Sequence, residues 1–455
     1  MRNTIAVSST KLWDAARAIA RNGPAANRWQ GEETGLESSV NRRRLAVSAA
    51  SLIAAGATLR PASSTAQPAQ LDQQPVILAS DFGVTGDGTT DDSPGLQQAL
   101  DLAEERGGGL VMLGSGIYRC NVTIGSRTTL HGVGPRATTL ISVAGANRAV
   151  VEGRGFADLT GTDKATPENR GANYVGIANL CIDGDRFTNT TGCGIRIWGR
   201  AQIFQDLIVQ NCAEDGIFLE FTTHDAGEIV DDLEGFFTNI KTIKNGGNGW
   251  THRGPHDSIL AQFVTFSNDG WGFKSEHRDK SYFGGISGSG WNSWLNGLGS
   301  FHFGATPGYL TDSAATGERG IGIELLADSG SVRMNGILIS GHEIGIYLRG
   351  SNHTFNGVVL GSVAQADGAT GMGIVIENAG LCLIEASGRA NQCAVAFVNE
   401  FGPNIVRGRF SVPSDGQLFT GNVSPGTSVD LAQIGPEGTA NVIQIPNVTD
   451  GLIRV

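Results

Sequence analysis

Proline is scarce in this chain, and so is charge. Fourteen prolines and 17% charged residues among 455 exclude a Pro-rich linker or a highly charged disordered polymer. Positive charge is the rarer sign, with 33 Lys and Arg against 44 Asp and Glu and a formal charge of −11. Residues 1–66 hold nine of the basic and four of the acidic residues, so the remainder carries 24 against 40, or −16. Such a field repels nucleic acid and anionic lipid, and no nucleic-acid partner is expected. No run beyond the leader approaches the roughly 20 apolar residues that a membrane-spanning helix needs. Cysteine is also sparse. The six, at 120, 181, 193, 212, 382 and 393, match no metal-knuckle spacing, and a chain of this size needs no disulfide staples, so buried free thiols are expected. Glycine is what the chain has in excess. Its 66 glycines suit many short strands joined by tight turns.

The first 66 residues read as a leader. Arg42-Arg43-Arg44 precedes an uncharged, small-residue stretch reaching Leu59, and Ser64-Thr65-Ala66 offers a small-x-small cleavage site. This pattern is that of a twin-arginine export signal with an unusually long basic region, and implies a secreted or periplasmic bacterial protein. Residues 67–120 then form an N-terminal cap and the start of the fold, 121–403 the repetitive body, and 404–455 a β-rich C-terminal cap.

The body repeats a unit of glycine, apolar, any, apolar. It begins at Gly194, Gly216, Gly249, Gly272, Gly299, Gly322, Gly345, Gly373 and, with alanine, Ala396; the intervals are 22, 33, 23, 27, 23, 23, 28 and 23 residues. Strands this short cannot bury an apolar face one at a time, but stacked coils share one interior. Leucine-rich repeats have a similar period, yet their Leu-x-x-Leu-x-Leu pattern is missing. A single-stranded parallel β-helix with coils of about 23 residues is expected. Ahead of it, Leu96, Ala99, Leu100 and Ala103 fall at helical spacing between Ser93-Pro94 and Gly107-Gly108-Gly109. That predicts a capping α-helix with Ser93 as N-cap and Pro94 at the first position. The acidic run from Asp87 to Asp92 lacks the glycine an EF-hand needs at its sixth position and reads as a turn leading into the helix.

Residues 80–119, running from Asp81-Phe82-Gly83 through Gly86-Asp87-Gly88, Asp91-Asp92 and the helix to Gly116-Ile117-Tyr118-Arg119, closely resemble the opening of the pectate lyase-like superfamily. The resemblance implies an all-β, right-handed parallel β-helix that acts on polysaccharide. It does not choose the reaction.

Because strand side chains alternate, residues two and four places after each anchor glycine face outward together. The expected pairs are Arg196/Trp198, Phe218/Glu220, Thr251/Arg253, Lys274/Glu276, Phe301/Phe303, Glu324/Leu326 and Tyr347/Arg349. The middle coils place His252, Ser275 and His302 where neighbours have inward aliphatics, which suggests a bulge or a polar core. Five of eight histidines lie between His224 and His302, and four tryptophans between Trp250 and Trp294. Trp250, Trp271, His252, His256, Arg278, Trp291 and Trp294 are therefore candidate substrate-binding residues, the tryptophans as flat platforms for sugar rings. Glu220, Arg253 and Glu276 also suit a purely structural ladder of ion pairs, and His252 and His302 suit ordinary core positions.

The candidate catalytic residues are Lys274, Arg253, His277, Glu276 and Glu220. On a uronic-acid polysaccharide, β-elimination needs a cation for the carboxylate, a base for the adjacent proton and an acid for the leaving oxygen. Arg253 and Lys274 lie about 4.8 Å apart across adjacent coils and roughly 6.8 Å apart along them, which suits the first two roles. The pair is similar to the Lys/Arg pair of some β-helix lyases, with the order reversed. His277 or His256 can supply the remaining proton transfer. Those relatives often bind calcium, for which Glu220, Asp225 and Asp231 are candidate ligands. The leading expectation is thus a lyase acting on an acidic polysaccharide. Hydrolysis by Glu220 and Glu276, about 9.6 Å apart, and a non-catalytic glycan-binding spike are the alternatives. Trp271-Gly272-Phe273-Lys274-Ser275-Glu276 loosely resembles the Tyr-Gly-Phe-Asp-Pro-His stretch of mannuronan epimerases. Because its Tyr, Asp and His are replaced here by Trp, Lys and Glu, that activity is not carried over.

Overall fold

A computed structural model describes residues 76–156, 171–221, 234–255, 257–276, 285–304, 308–317, 319–327, 329–363, 371–414, 416–421 and 423–434. The leader, the end of the chain, His256 and the insertion residues His224, Asp225, Asp231, His277 and Arg278 lie outside them.

The described residues wind into a right-handed parallel β-solenoid of about 12 turns. Among them, one wall is a 12-stranded sheet, and an 18-stranded sheet wraps the rest. Several long strands of the second sheet bend partway along, each of these at a single residue in the left-handed region. Asp206, Asn239, Gln262 and Asp312 have φ of 52°, 52°, 56° and 49°, and Gly336 and Gly357 have 66° and 60°. Asn, Asp and Gly tolerate that conformation best. The pairing steps over it, with Gln205 opposite Thr238 and Leu207 opposite Ile240. In these turns one residue makes a corner without breaking the ladder.

The anchor glycines stand at the corner that leads into the smaller sheet. A side chain at Gly249 or Gly272 would collide with Thr265 inside the cylinder, at 2.5 and 2.7 Å. After that corner, positions one and three beyond the glycine point inward. The first inward column runs Ile195, Ile217, Trp250, Phe273, Phe301, Ile323, Ile346, Ile374, Val395, each opposite the next and each 0% exposed. The second runs Ile197, Leu219, His252, Ser275, Phe303, Leu325, Leu348. Where the second column shrinks to His252 and Ser275, the first swells to Trp250 and Phe273, so total volume is kept. Phe237, Phe263 and Trp291 close around them in edge and tilted contacts with ring centroids 4.7–6.2 Å apart.

Polar groups also stack inside. Asn245, Asn268 and Asn296 form a buried ladder in which each side-chain amide donates to the next Oδ1 at 2.8 Å. The backbone N–H groups of Asn245 and Asn268 donate to the same oxygens at 3.1 Å. Every rung thereby fixes the height of the next, since an unpaired amide there is costly.

The helix α1, Ser93–Glu105, lies where its spacing predicts it and buries Leu96, Ala99, Leu100 and Ala103. Its N-cap is Asp92, one residue earlier than expected. The Asp92 carboxylate accepts hydrogen bonds from Thr85 N at 2.7 Å and Gly86 N at 3.1 Å. Ser93 instead accepts from Asn121 N at 3.0 Å, tying the helix to the first coil. Asp87 accepts from the backbone of Thr89 and Thr90, which holds its carboxyl below the usual range. The acidic run is not the turn its spacing implied: Asp87–Asp91 is a short strand paired parallel with Gly116–Arg119, and Asp92 alone serves the helix start. All six cysteines are buried and unpaired. Among the described residues no helix is long and apolar enough to cross a membrane.

The asparagine ladder generates a prediction. Asn268→Ala strands two buried donors of Asn245, and should cost at least about 2 kcal/mol of stability in urea unfolding followed by tryptophan fluorescence. A change well under about 1 kcal/mol would show that the ladder is ornamental.

Candidate active site

Five strands of the smaller sheet build the site: β1 (Ile217–Phe221), β2 (Trp250–Arg253), β3 (Trp271–Ser275), β4 (Gly299–Phe303) and β5 (Ile321–Leu325). Glu220 stands opposite Arg253, and Thr251, Lys274, His302 and Glu324 stand opposite one another in turn. The outward face therefore presents two columns, as the alternation requires.

The register departs from expectation on β4. Gly272 and Gly299 are not equivalent: Trp271 pairs with Gly299, and Phe273 with Phe301. Ser300 takes the anchor position and hydrogen-bonds His342 Nε2 at 3.2 Å inside. Phe301 and Phe303 consequently point into the core, while His302 points outward beside Lys274. This reverses the assignment made from the glycine spacing.

The charged groups are joined. Arg253 donates to Glu276 Oε1 through Nε at 2.9 Å and Nη2 at 2.6 Å, and to Glu220 Oε2 through Nη1 at 3.4 Å. Lys274 Nζ lies 2.5 Å from the other Glu276 oxygen. Arg253 also covers the Phe218 ring, 5.0 Å from its centroid. Glu276 is thus bracketed by two cations. Burial alone would raise its pKa, but the hydrogen bonds and charges of Lys274 and Arg253 outweigh burial and hold the carboxyl below its usual range.

Beside this cluster, Asp215 accepts from Thr251 Oγ1 at 2.5 Å and from Asn248 N at 2.6 Å. Burial pushes its pKa up, against the pull of those bonds and of Lys274. Asn248 in turn accepts from Trp271 N at 2.8 Å. Trp271 lies against the His302 ring, with centroids 5.1 Å apart. His302 Nδ1 and Glu324 Oε2 are 2.8 Å apart. A cleft of about 600 Å³ opens next to the cluster, lined among others by Phe156, Arg196, Asp215, Phe218, Glu220 and Arg253. Farther along the same face, Arg349 donates to Glu377 at 2.9 Å and to Tyr347 Oη at 2.6 Å. Burial and Glu377 push the Tyr347 phenol up to about 12.

Of the candidate residues, Glu220, Arg253, Lys274, Glu276 and Trp271 share this face. Trp250, Trp291 and His252 do not. Trp250 and His252 sit at inward positions and are 0% exposed, and Trp291, 1% exposed, donates its indole N–H to Leu260 O at 2.7 Å. They are core, because the parity of their positions faces them inward. Trp294 lies on the larger sheet, stacked on Phe266 at 4.8 Å, away from the cluster. The sequence reading missed Asp215 and Glu324 as site groups, and missed that His302 faces out. The signal was present in Phe301-His302-Phe303, where a polar residue alternates with two apolar ones.

The described residues do not fit a calcium site. Glu220 is turned toward a guanidinium, Asp225 and Asp231 lie outside the described residues, and no three His, Cys, Asp or Glu side chains among those described are grouped to hold an ion.

Because the folded state holds Glu276 ionised, its contribution to stability is full above the ordinary carboxylate range and fades as pH falls through its depressed value. Below about pH 4, Glu276→Gln should lose less of its thermal midpoint than the unsubstituted protein does. Parallel curves from pH 7 to 3 would contradict the bracketed carboxylate.

Comparison with known proteins agrees with this architecture. Residues 76–299 match the family model described as rhamnogalacturonase A/epimerase, pectate lyase-like. Mannuronan C5-epimerase AlgE5 of Azotobacter vinelandii is 33% identical over 121 residues, 25% of this chain but 11% of that protein. Alginate lyase 7 of the same organism is 37% identical over 114 residues, 25% of this chain and 13% of that protein. This chain thus spans only about a tenth of those relatives' lengths. Among solved structures, the A-module of A. vinelandii mannuronan C-5 epimerase AlgE6 superposes with a TM-score of 0.60 at 16% identity, over 79% of this chain and 98% of that one. The N-terminal helix, the stacked glycine-led rungs and the matched family model together identify residues 76–299 as pectate lyase-like.

Proposed function

We propose that this protein modifies a uronic-acid-containing polysaccharide and cleaves it by β-elimination. The observation that carries the reading is the pair of cations, Arg253 and Lys274, converging on one carboxylate on an outward face beside an open cleft. A substrate carboxylate can exchange with Glu276 there. Two cations then take up the charge that spreads onto the carboxylate when the neighbouring C–H is deprotonated. The names of the relatives support the substrate class, since one acts on mannuronan and another on alginate.

The arrangement weighs against hydrolysis by Glu220 and Glu276. An inverting or retaining pair needs one carboxyl kept protonated, whereas Glu276 is held ionised and both glutamates bind the same guanidinium. A second reading, epimerisation, shares the first half of the reaction, and the likeness to mannuronan epimerases favours it. Against it stand Trp271, Lys274 and Glu276 in place of the Tyr, Asp and His of those enzymes. The twin-arginine pattern within residues 1–66, outside the described residues, supports export as part of this proposal.

The test is incubation of the leaderless chain with polyuronates and neutral glycans, with and without calcium, following ultraviolet absorbance, reducing ends and deuterium uptake from solvent. Elimination gives new absorbance; epimerisation gives deuterium without it; reducing ends without absorbance would mean hydrolysis and overturn the proposal. Arg253→Ala and Lys274→Ala should each lower kcat/KM by about 10²-fold or more. Binding with no turnover on any glycan would make the chain a binding module.

A further inference from the structure

We infer that His302, oriented by Glu324, is the group that takes and returns the proton in this reaction; the assignment rests on the function proposed above. His302 is the outward residue of β4, one rung from Lys274, about 4.8 Å away across parallel strands. Its ring is set by two contacts. Nδ1 meets Glu324 Oε2 at 2.8 Å, and the Trp271 indole lies against the ring with centroids 5.1 Å apart. A carboxylate can only accept, so Nδ1 carries the hydrogen and the Nε2 lone pair is directed away from Glu324. The described residues give Nε2 no hydrogen-bond partner. An imidazole whose far nitrogen is pinned by a carboxylate is the arrangement of a positioned general base.

The rest of β4 adds no side chain beside the ring. The two other outward positions of this rung are Gly299 and Gly304. A side chain at Gly299 would meet the Trp271 ring at 2.4 Å, and one at Gly304 would meet Ser275 O at 2.6 Å. No side chain of its own strand therefore stands beside His302. The charged groups facing it are Lys274 on the preceding rung and Glu324 on the following one.

The chemistry balances on this one residue. The C–H bond beside the substrate carboxylate breaks; its proton goes to Nε2 and its electron pair into the carboxylate, whose charge Arg253 and Lys274 hold. That pair then forms the carbon–carbon double bond and expels the glycosidic oxygen. The oxygen takes the proton back from Nε2 and leaves the imidazole neutral.

Two measurements test this on the leaderless full chain. His302→Gln should lower kcat on the converted polyuronate by about 10²-fold or more with KM little changed and the thermal midpoint retained. Free imidazole should restore part of the activity of His302→Ala, and Glu324→Gln should lower kcat without raising KM. Independently of turnover, nitrogen-15 NMR of the histidines should show His302 protonated at Nδ1, and Glu324→Gln should shift that signal. Conversion by the unsubstituted protein with His302→Gln fully active would overturn the histidine assignment and leave the proposed function standing. No conversion of any polyuronate would remove both, and a ring protonated only at Nε2 would overturn the dyad whatever the activity.

Discussion

Register between successive coils is the constraint on which the rest depends. Side chains in a strand alternate, so a slip of one residue between two rungs exchanges the inside and the outside of the cylinder. The chain guards against this at several points along the stack: glycine corners where a side chain would strike the interior, left-handed corners in the larger sheet, and, in the middle of the stack, asparagines that bond upward to their counterparts. Each device is local. Together they hold Glu220, Arg253, Lys274, His302 and Glu324 on one side of five consecutive strands.

The polar outer face and the aromatic interior occur on the same rungs. Trp250, Phe273 and Phe301 replace the isoleucines found above and below them, and Trp291 closes the stack from the larger sheet. Large rigid rings beneath the strands oppose local buckling where charges pull on one another across the surface. The cations meanwhile are paired with carboxylates, so the face carries charge in a balanced form until a ligand redistributes it.

The architecture was legible because it is repetitive. Gly194, Gly216, Gly249 and Gly272 announced both period and parity, and parity alone brought Glu220, Arg253, Lys274 and Glu276 together. The errors arose where composition was trusted over parity. Trp250 follows its glycine by one place, as Ile195 does, and so belongs inside; clustering of tryptophans suggested sugar platforms instead. Gly299 was taken for an anchor because it is a glycine, although Ser300 holds that position and the alternation Phe301, His302, Phe303 said so. Asp215 and Glu324 escaped because their importance lies in what they touch on neighbouring strands, which one rung's sequence does not state. His256 and the insertion residues, His277 and Arg278 among them, lie beyond any such periodic argument.

The single-residue corners of the larger sheet have a consequence for how such proteins diversify. A bend specified by one residue, most often Asn, Asp or Gly, makes such a turn a self-contained module that asks nothing of the turns on either side except its height. Whole turns can be gained or lost by duplication or deletion while the remainder keeps its shape, so the span of the binding surface becomes a question of copy number and its chemistry a question of which module is inserted where.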